Sequence, residues 1–119
     1  MHRDRFRRLV QRAIRSVPAE MRRELANVEV VIEREPSLEE LAFAGGARSG
    51  LLGLYIGTPL TERSEYGLTT PDRIVIYQGP LERTFHPSEF AREVRNTVIH
   101  EIAHHFGIDD DRLHEMGVS

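Results

Sequence analysis

Along residues 3–17 the apolar positions Phe6, Leu9, Val10, Ala13, Ile14 and Val17 recur at spacings of three and four, the stripe of an amphipathic helix, and arginines fill the other faces. Pro18 stops that helix, and Pro18-Ala19-Glu20 can open a second one through Leu25, with proline in its first turn. Val28 to Glu33 is β-branched and partly alternating, which predicts a strand. Residues 36–41 predict a short helix, followed by a turn at Gly45-Gly46. Leu51 to Ile56 reads as a second strand closed by Gly57 and Pro59, residues 58–72 as a polar surface loop, and Arg73 to Tyr77 as a third strand. Gly79 and Pro80 are expected to break the chain ahead of a single helical turn from Leu81 to Phe85.

Pro87-Ser88 then opens a longer helix, with Ser88 as the expected N-cap and Glu89 in the first turn. Phe90, Val94, Val98 and Ile102 repeat at every fourth position, and Ile99, Ala103 and Phe106 form an adjacent row. So wide an apolar surface suits a helix buried on more than one side. Gly107 is placed to cap its C-terminus. There is no repeat, linker or low-complexity segment. The expected architecture is α+β, a single domain over residues 1–119 with a small sheet of three to four strands, a long helix, and a basic helical region at residues 1–25.

Composition narrows the chemistry. A chain of 119 residues, 39% hydrophobic and 29% charged, suits one domain with a modest core. It has no cysteine, which excludes disulfides, thiolate metal clusters and cysteine nucleophiles. No apolar run approaches the roughly 20 residues of a spanning helix, so no membrane association is expected. The arginine-rich start lacks the apolar stretch and small-residue cleavage site of a signal peptide, so the expected location is cytoplasmic. Residues 1–23 carry eight arginines against Asp4 and Glu20, whereas the whole chain has a formal charge of −3. Such a basic helix can bind nucleic acid or anionic surfaces, but a solvated helix face is the favoured reading. All sixteen basic residues are arginine, a usage that reads as codon bias.

The long helix ends in His100-Glu101-Ile102-Ala103-His104-His105-Phe106-Gly107-Ile108-Asp109-Asp110-Asp111, which contains H-E-x-x-H. On a helix, His100 and His104 project from one face one turn apart, so both imidazoles can reach one zinc ion. Glu101 lies about 100° further round, beside the position of a zinc-bound water whose proton it can take. With the histidine and glutamate content of this chain, about 0.03 such pentapeptides arise by chance. A third ligand from a distant downstream helix, as in thermolysin-like zincins, does not suit the short stretch after His104. The alternative H-E-x-x-H-x-x-G-x-x-[HD] places Gly107 at the turn and Asp110 at the final ligand position. Asp110 also suits a cap, with Asp109, on a short last helix from Asp111 to Met116. His105 points away from the pair and is expected to be buried or supporting. His114 is a candidate proton donor or a surface residue. Tyr55 and Tyr77 are expected in the core, His2 and His86 carry no signal, and Met116 follows Asp110 too closely for a methionine turn.

The stretches Pro71 to Tyr77, Gly79-Pro80-Leu81 and Val98 to Asp110 resemble the bacterial zincin-like "minimal metalloprotease" family. The likeness extends back through Leu51 to Tyr55 and Pro59 to Arg63, covers most of residues 28–116, and is weakest over the N-terminal arginine-rich helix. It implies a compact zincin-like α+β fold, His100, His104 and Asp110 as metal ligands, and Glu101 as base. The leading expectation is therefore a zinc-dependent metallopeptidase acting on a peptide or protein substrate, with strand 51–56 pairing with an extended peptide. Two other classes are weighed against it. One is a metal-dependent endoribonuclease, since Asp110 also falls at the last position of H-x3-H-x5-H, although such enzymes resemble H-G-x-x-H and lack Glu101. The other is a zinc-binding module with little or no catalysis.

Overall fold

Residues 1–45, 51–57, 72–108 and 111 are described by the structure, a computed structural model. The first helix, α1 (Arg3–Arg15), realises the apolar stripe: Phe6, Val10 and Ala13 are buried and the arginines face outward. His2 caps its start, its side chain accepting from the Asp4 N–H at 3.1 Å, while Arg12 and Arg15 lie in the last turn, where cations suit the helix dipole. A short α2 (Ala19–Arg23) follows Pro18 and ends two residues before the expected Leu25.

The sheet has the order β1-β3-β2. β1 (Val28–Glu33) runs parallel to the central β3 (Asp72–Tyr77), from Val28 opposite Asp72 to Glu33 opposite Tyr77. β2 (Gly53–Ile56) runs antiparallel along the other side, from Gly53 opposite Ile76 to Ile56 opposite Arg73. Side-chain alternation then separates two cores. Ile74 and Ile76 of β3, with Ile32 and Tyr55, join the buried faces of α1 and the long helix, whereas Val75, Tyr77 and Leu54 form a smaller cluster on the opposite face. Ile74 to Tyr77 are fully buried, so β3 is covered on both faces despite the small size of the sheet.

Between β1 and β2 lies α3 (Leu38–Phe43). It begins two residues later than the periodicity suggested because Ser37 and Glu40 form a reciprocal capping box: Ser37 Oγ accepts from the Glu40 N–H at 3.0 Å, and Glu40 Oε1 accepts from the Ser37 N–H at 2.9 Å. The expected loop at residues 58–72 falls outside the described residues except for Asp72, which is buried and opens β3.

Two local expectations are corrected. Gly79 and Pro80 do not break the chain: α4 (Gln78–Thr84) starts directly after β3, with Pro80 in the first turn, where no intrahelical N–H bond is lost. The Gly79 N–H bonds the Arg34 carbonyl at 2.9 Å, tying that junction to the end of β1. Nor does Ser88 cap the long helix. His86 accepts from the Ser88 N–H at 3.2 Å at the start of a 3-10 turn, Pro87–Glu89, and α5 (Phe90–His105) continues from it.

α5 organises the site. Phe90, Val94, Val98 and Ile102 lie in the main core, and the Phe6 and Phe90 ring centroids are 5.9 Å apart. Among the described residues, no helix is long and apolar enough to cross a membrane.

Candidate metal centre

The chemistry sits in the last two turns of α5, and the helix stops there for a definable reason. Gly107 adopts φ 78°, the left-handed conformation that glycine takes without a Cβ penalty. Its N–H bonds the His104 carbonyl and the Ile108 N–H bonds the Ala103 carbonyl, both at 3.0 Å. This pair of reversed bonds is a Schellman cap. Gly107 therefore does what its position in the sequence suggested.

One turn before the cap, His100 and His104 lie side by side, with ring centroids 4.6 Å apart and planes at 72°. The Glu101 carboxylate belongs to the same cluster: one ligand atom from each of His100, Glu101 and His104 lies within 4.8 Å of the others. Glu101 Oε1 is 3.2 Å from His104 Nδ1. A carboxylate oxygen accepts, so the tautomer of His104 that carries its proton on Nδ1 can donate to Glu101 and offer Nε2 to a metal. The Glu101 side chain is 8% exposed and that of His104 is 29% exposed, so the carboxylate is sunk beneath a more open imidazole. Imidazole nitrogens and carboxylate oxygens are donors that zinc takes, and here one from each residue lies within 4.8 Å of the others. The donor set therefore fits a zinc ion as far as it is described. Asp110, the expected third ligand, lies outside the described residues, as do Asp109, His114 and Met116.

The cluster lines a groove of about 530 Å³ between α5 and the β2 strand, with Leu51 to Tyr55 on one wall and Glu93, Asn96 and Thr97 continuing the helix wall. Among the described residues, β2 forms one edge of the sheet. Gly53 sets how closely that wall approaches. A Cβ there would lie 3.0 Å from Thr97 Cγ2, 3.1 Å from Glu101 Cγ and 3.2 Å from the Val75 carbonyl oxygen. Only a glycine lets the strand lie this near to Glu101 without displacing a neighbour. A sequence reading passes over this residue, because its glycine signal is indistinguishable from that of an ordinary strand interruption.

His105 belongs to a different environment. Its ring is 2% exposed; Nδ1 lies 2.9 Å from Asp72 Oδ2 and Nε2 lies 3.2 Å from the Glu24 carbonyl oxygen. Tyr55 donates from its hydroxyl to the same Asp72 oxygen at 2.6 Å. The last turn of α5 is thereby tied to β2, to β3 and to the turn after α2. Tyr77, the other tyrosine expected in the core, is fully buried. Burial first, and then the negative charge of Glu40, push its hydroxyl well above the usual range, so it stays a neutral phenol.

The model of the zincin-like metallopeptidase family matches residues 25–118. Among solved structures, the chain is similar to a conserved hypothetical protein from Thermo thermophilus, with 28% identity and a TM-score of 0.57 over 89% of this chain and 94% of that one. No curated protein matches the chain.

Proposed function

The chain belongs to the zincin-like metallopeptidase family, and from that premise we propose that it hydrolyses peptide bonds with a zinc ion held by His100, His104 and Asp110 and with Glu101 as general base. The observation that carries this reading is the convergence of His100, Glu101 and His104 at a groove beside an edge strand. Asp110 enters on its spacing from His104 alone. The chemistry supplied by the ion would be Lewis-acid polarisation of the scissile carbonyl.

The remaining work falls to side chains and backbone of this protein. An extended peptide lies along β2, whose backbone offers hydrogen bonds in the manner of an added strand. Leu51 to Tyr55 and the two histidines line the same groove, so a peptide held there would bring its carbonyls toward those imidazoles. Glu101 takes a proton from the attacking water and returns it to the leaving amine, which requires an ionised carboxylate within hydrogen-bond reach of both positions. Gly53 keeps the strand close enough to hold that carboxylate in a narrow slot. His104, hydrogen-bonded to Glu101 in this arrangement, orients it.

The test is Glu101→Gln, compared with wild type at equal zinc content on a peptide library, with structured RNA as a control. The amide keeps size and hydrogen bonding but cannot accept the proton. Hydrolysis should fall by roughly 10²–10⁴, the usual contribution of a general acid–base group. Undiminished peptide hydrolysis removes Glu101 from the mechanism. RNA cleavage that survives the substitution favours a ribonuclease, and a zinc-loaded protein inert on every substrate is a binding module.

A further inference from the structure

The outer face of α1 carries a charge pattern that neither the fold nor the metal centre uses. Arg5, Arg8, Arg12 and Arg15 follow one another at spacings of three, four and three, so they form one stripe about 15 Å long. All four are exposed, on the side of the helix opposite the buried Phe6, Val10 and Ala13. None of them makes an ion pair among the described residues. Other arginines are engaged: Arg7 with Asp4, Arg3 with the Ile32 carbonyl, Arg83 with Glu35, and Arg92 with Glu89 and Glu93. Residues 1–23 hold eight arginines against two acidic residues in a chain whose net charge is −3, so the positive field is local and the rest of the molecule opposes it. The family match begins at residue 25, which leaves α1 outside it.

We propose that this stripe docks the protein on the sugar–phosphate backbone of a nucleic acid. Guanidinium groups match phosphate oxygens as planar forks and stay charged at every physiological pH. A 15 Å stripe spans roughly four phosphates of one strand, given their spacing of about 3.4 Å along a duplex. A lipid surface fits less well. An interfacial helix must insert its apolar face, and here that face is consumed by packing against the core, with Phe6 fully buried. The contact also leaves the metal centre free. α1 meets α5 at Phe90 and, through Ser16 Oγ, at Arg95. The groove is lined by Glu93, Asn96, His100 and His104, on another side of the same helix. A polynucleotide bound along the outer face of α1 would therefore leave the groove uncovered. This inference does not rest on the peptidase reading.

Fluorescence anisotropy with a labelled 20-nucleotide oligo-U RNA and a duplex DNA of equal length tests it. Single-strand affinity should fall roughly 50-fold between 50 and 200 mM salt, the slope expected for four phosphate contacts. The duplex should give a steeper slope if it is the true ligand, and a weaker affinity at every salt if it is not. Each single Arg→Gln change should reduce the slope by about one contact, and the quadruple Arg5→Gln, Arg8→Gln, Arg12→Gln, Arg15→Gln variant should abolish binding with an unchanged helical circular dichroism spectrum. Arg83→Gln and EDTA should leave binding as it is. The proposal is overturned by absence of binding to both polymers at 50 mM salt, by undiminished binding of the folded quadruple variant, or by equal affinity for poly-glutamate. Binding to phosphatidylserine vesicles without binding to either polymer makes the stripe a lipid surface instead.

Discussion

His104 and His105 are the same side chain at adjacent positions, separated by about 100° around one helix, and that angle gives them opposite chemistry. His104 faces the groove, remains partly open, and shares a proton contact with Glu101. His105 faces the sheet, has a partner on each ring nitrogen, and is sealed between β3 and the turn after α2. One imidazole is left adaptable enough to take a ligand, while its neighbour is fixed by a buried carboxylate. Placing the groove-facing histidines one step from a buried anchor holds the last turn of α5 in place beneath them.

The largest effect should come from breaking the anchored side. Asp72→Ala leaves the His105 ring buried without its carboxylate and should cost about 3 kcal/mol in a urea melt of metal-free protein. His104→Ala, measured in the same way, should change stability by about 0.5 kcal/mol or less, because its ring is partly solvated. Equal losses would erase the distinction between the two histidines.

Gly53→Ala probes the wall opposite His104. The added methyl meets Thr97, Glu101 and the Val75 carbonyl at 3.0–3.2 Å, so about 1–2 kcal/mol of destabilisation is expected, with a larger proportional loss of peptide hydrolysis as Glu101 shifts. Gly107→Ala acts where both histidines are terminated. Forcing a side chain into φ 78° should cost about 1 kcal/mol in thermal melts without altering the zinc stoichiometry.

The smallest effect lies away from both histidines, at the pair of carboxyls on the α3 side of the sheet. Burial first, and then the neighbouring Glu40, raise Glu33 above the usual carboxyl range, so the folded protein disfavours its charge. A folded value above the unfolded one means that Glu33 contributes stability at low pH and loses it as pH rises through the folded value. Glu33→Gln should therefore gain melting temperature relative to wild type more at pH 8 than at pH 4. A gain that shrinks with rising pH reverses the sign of this coupling.

Much of this was legible in the sequence because it depends on period and punctuation. The stripe from Phe6 to Val17, the fourfold spacing from Phe90 to Ile102 and the glycine at 107 report helix faces and ends through local geometry alone. His100 and His104 became neighbours for the same reason, since i and i+4 meet on any helix. What stayed hidden depends on partners distant in sequence. Asp72 reads as the edge of a polar loop but becomes the buried partner of a residue 33 positions away. Gly53 becomes a close-approach residue only when β2 lies against α5. The cap at His86 and the unbroken run from β3 into α4 are not legible in the sequence because proline and serine signals permit more than one local solution, and tertiary packing selects between them.

The account turns on which side of α5 holds the metal, and zinc stoichiometry measures that directly. Wild type, the His100→Ala, His104→Ala double variant, and a folded His105→Gln variant are loaded with zinc, desalted and assayed for metal per chain. The account predicts one zinc in wild type, none in the double variant and one in His105→Gln. Stoichiometric zinc in the double variant, or its loss on substituting His105 alone, would contradict it.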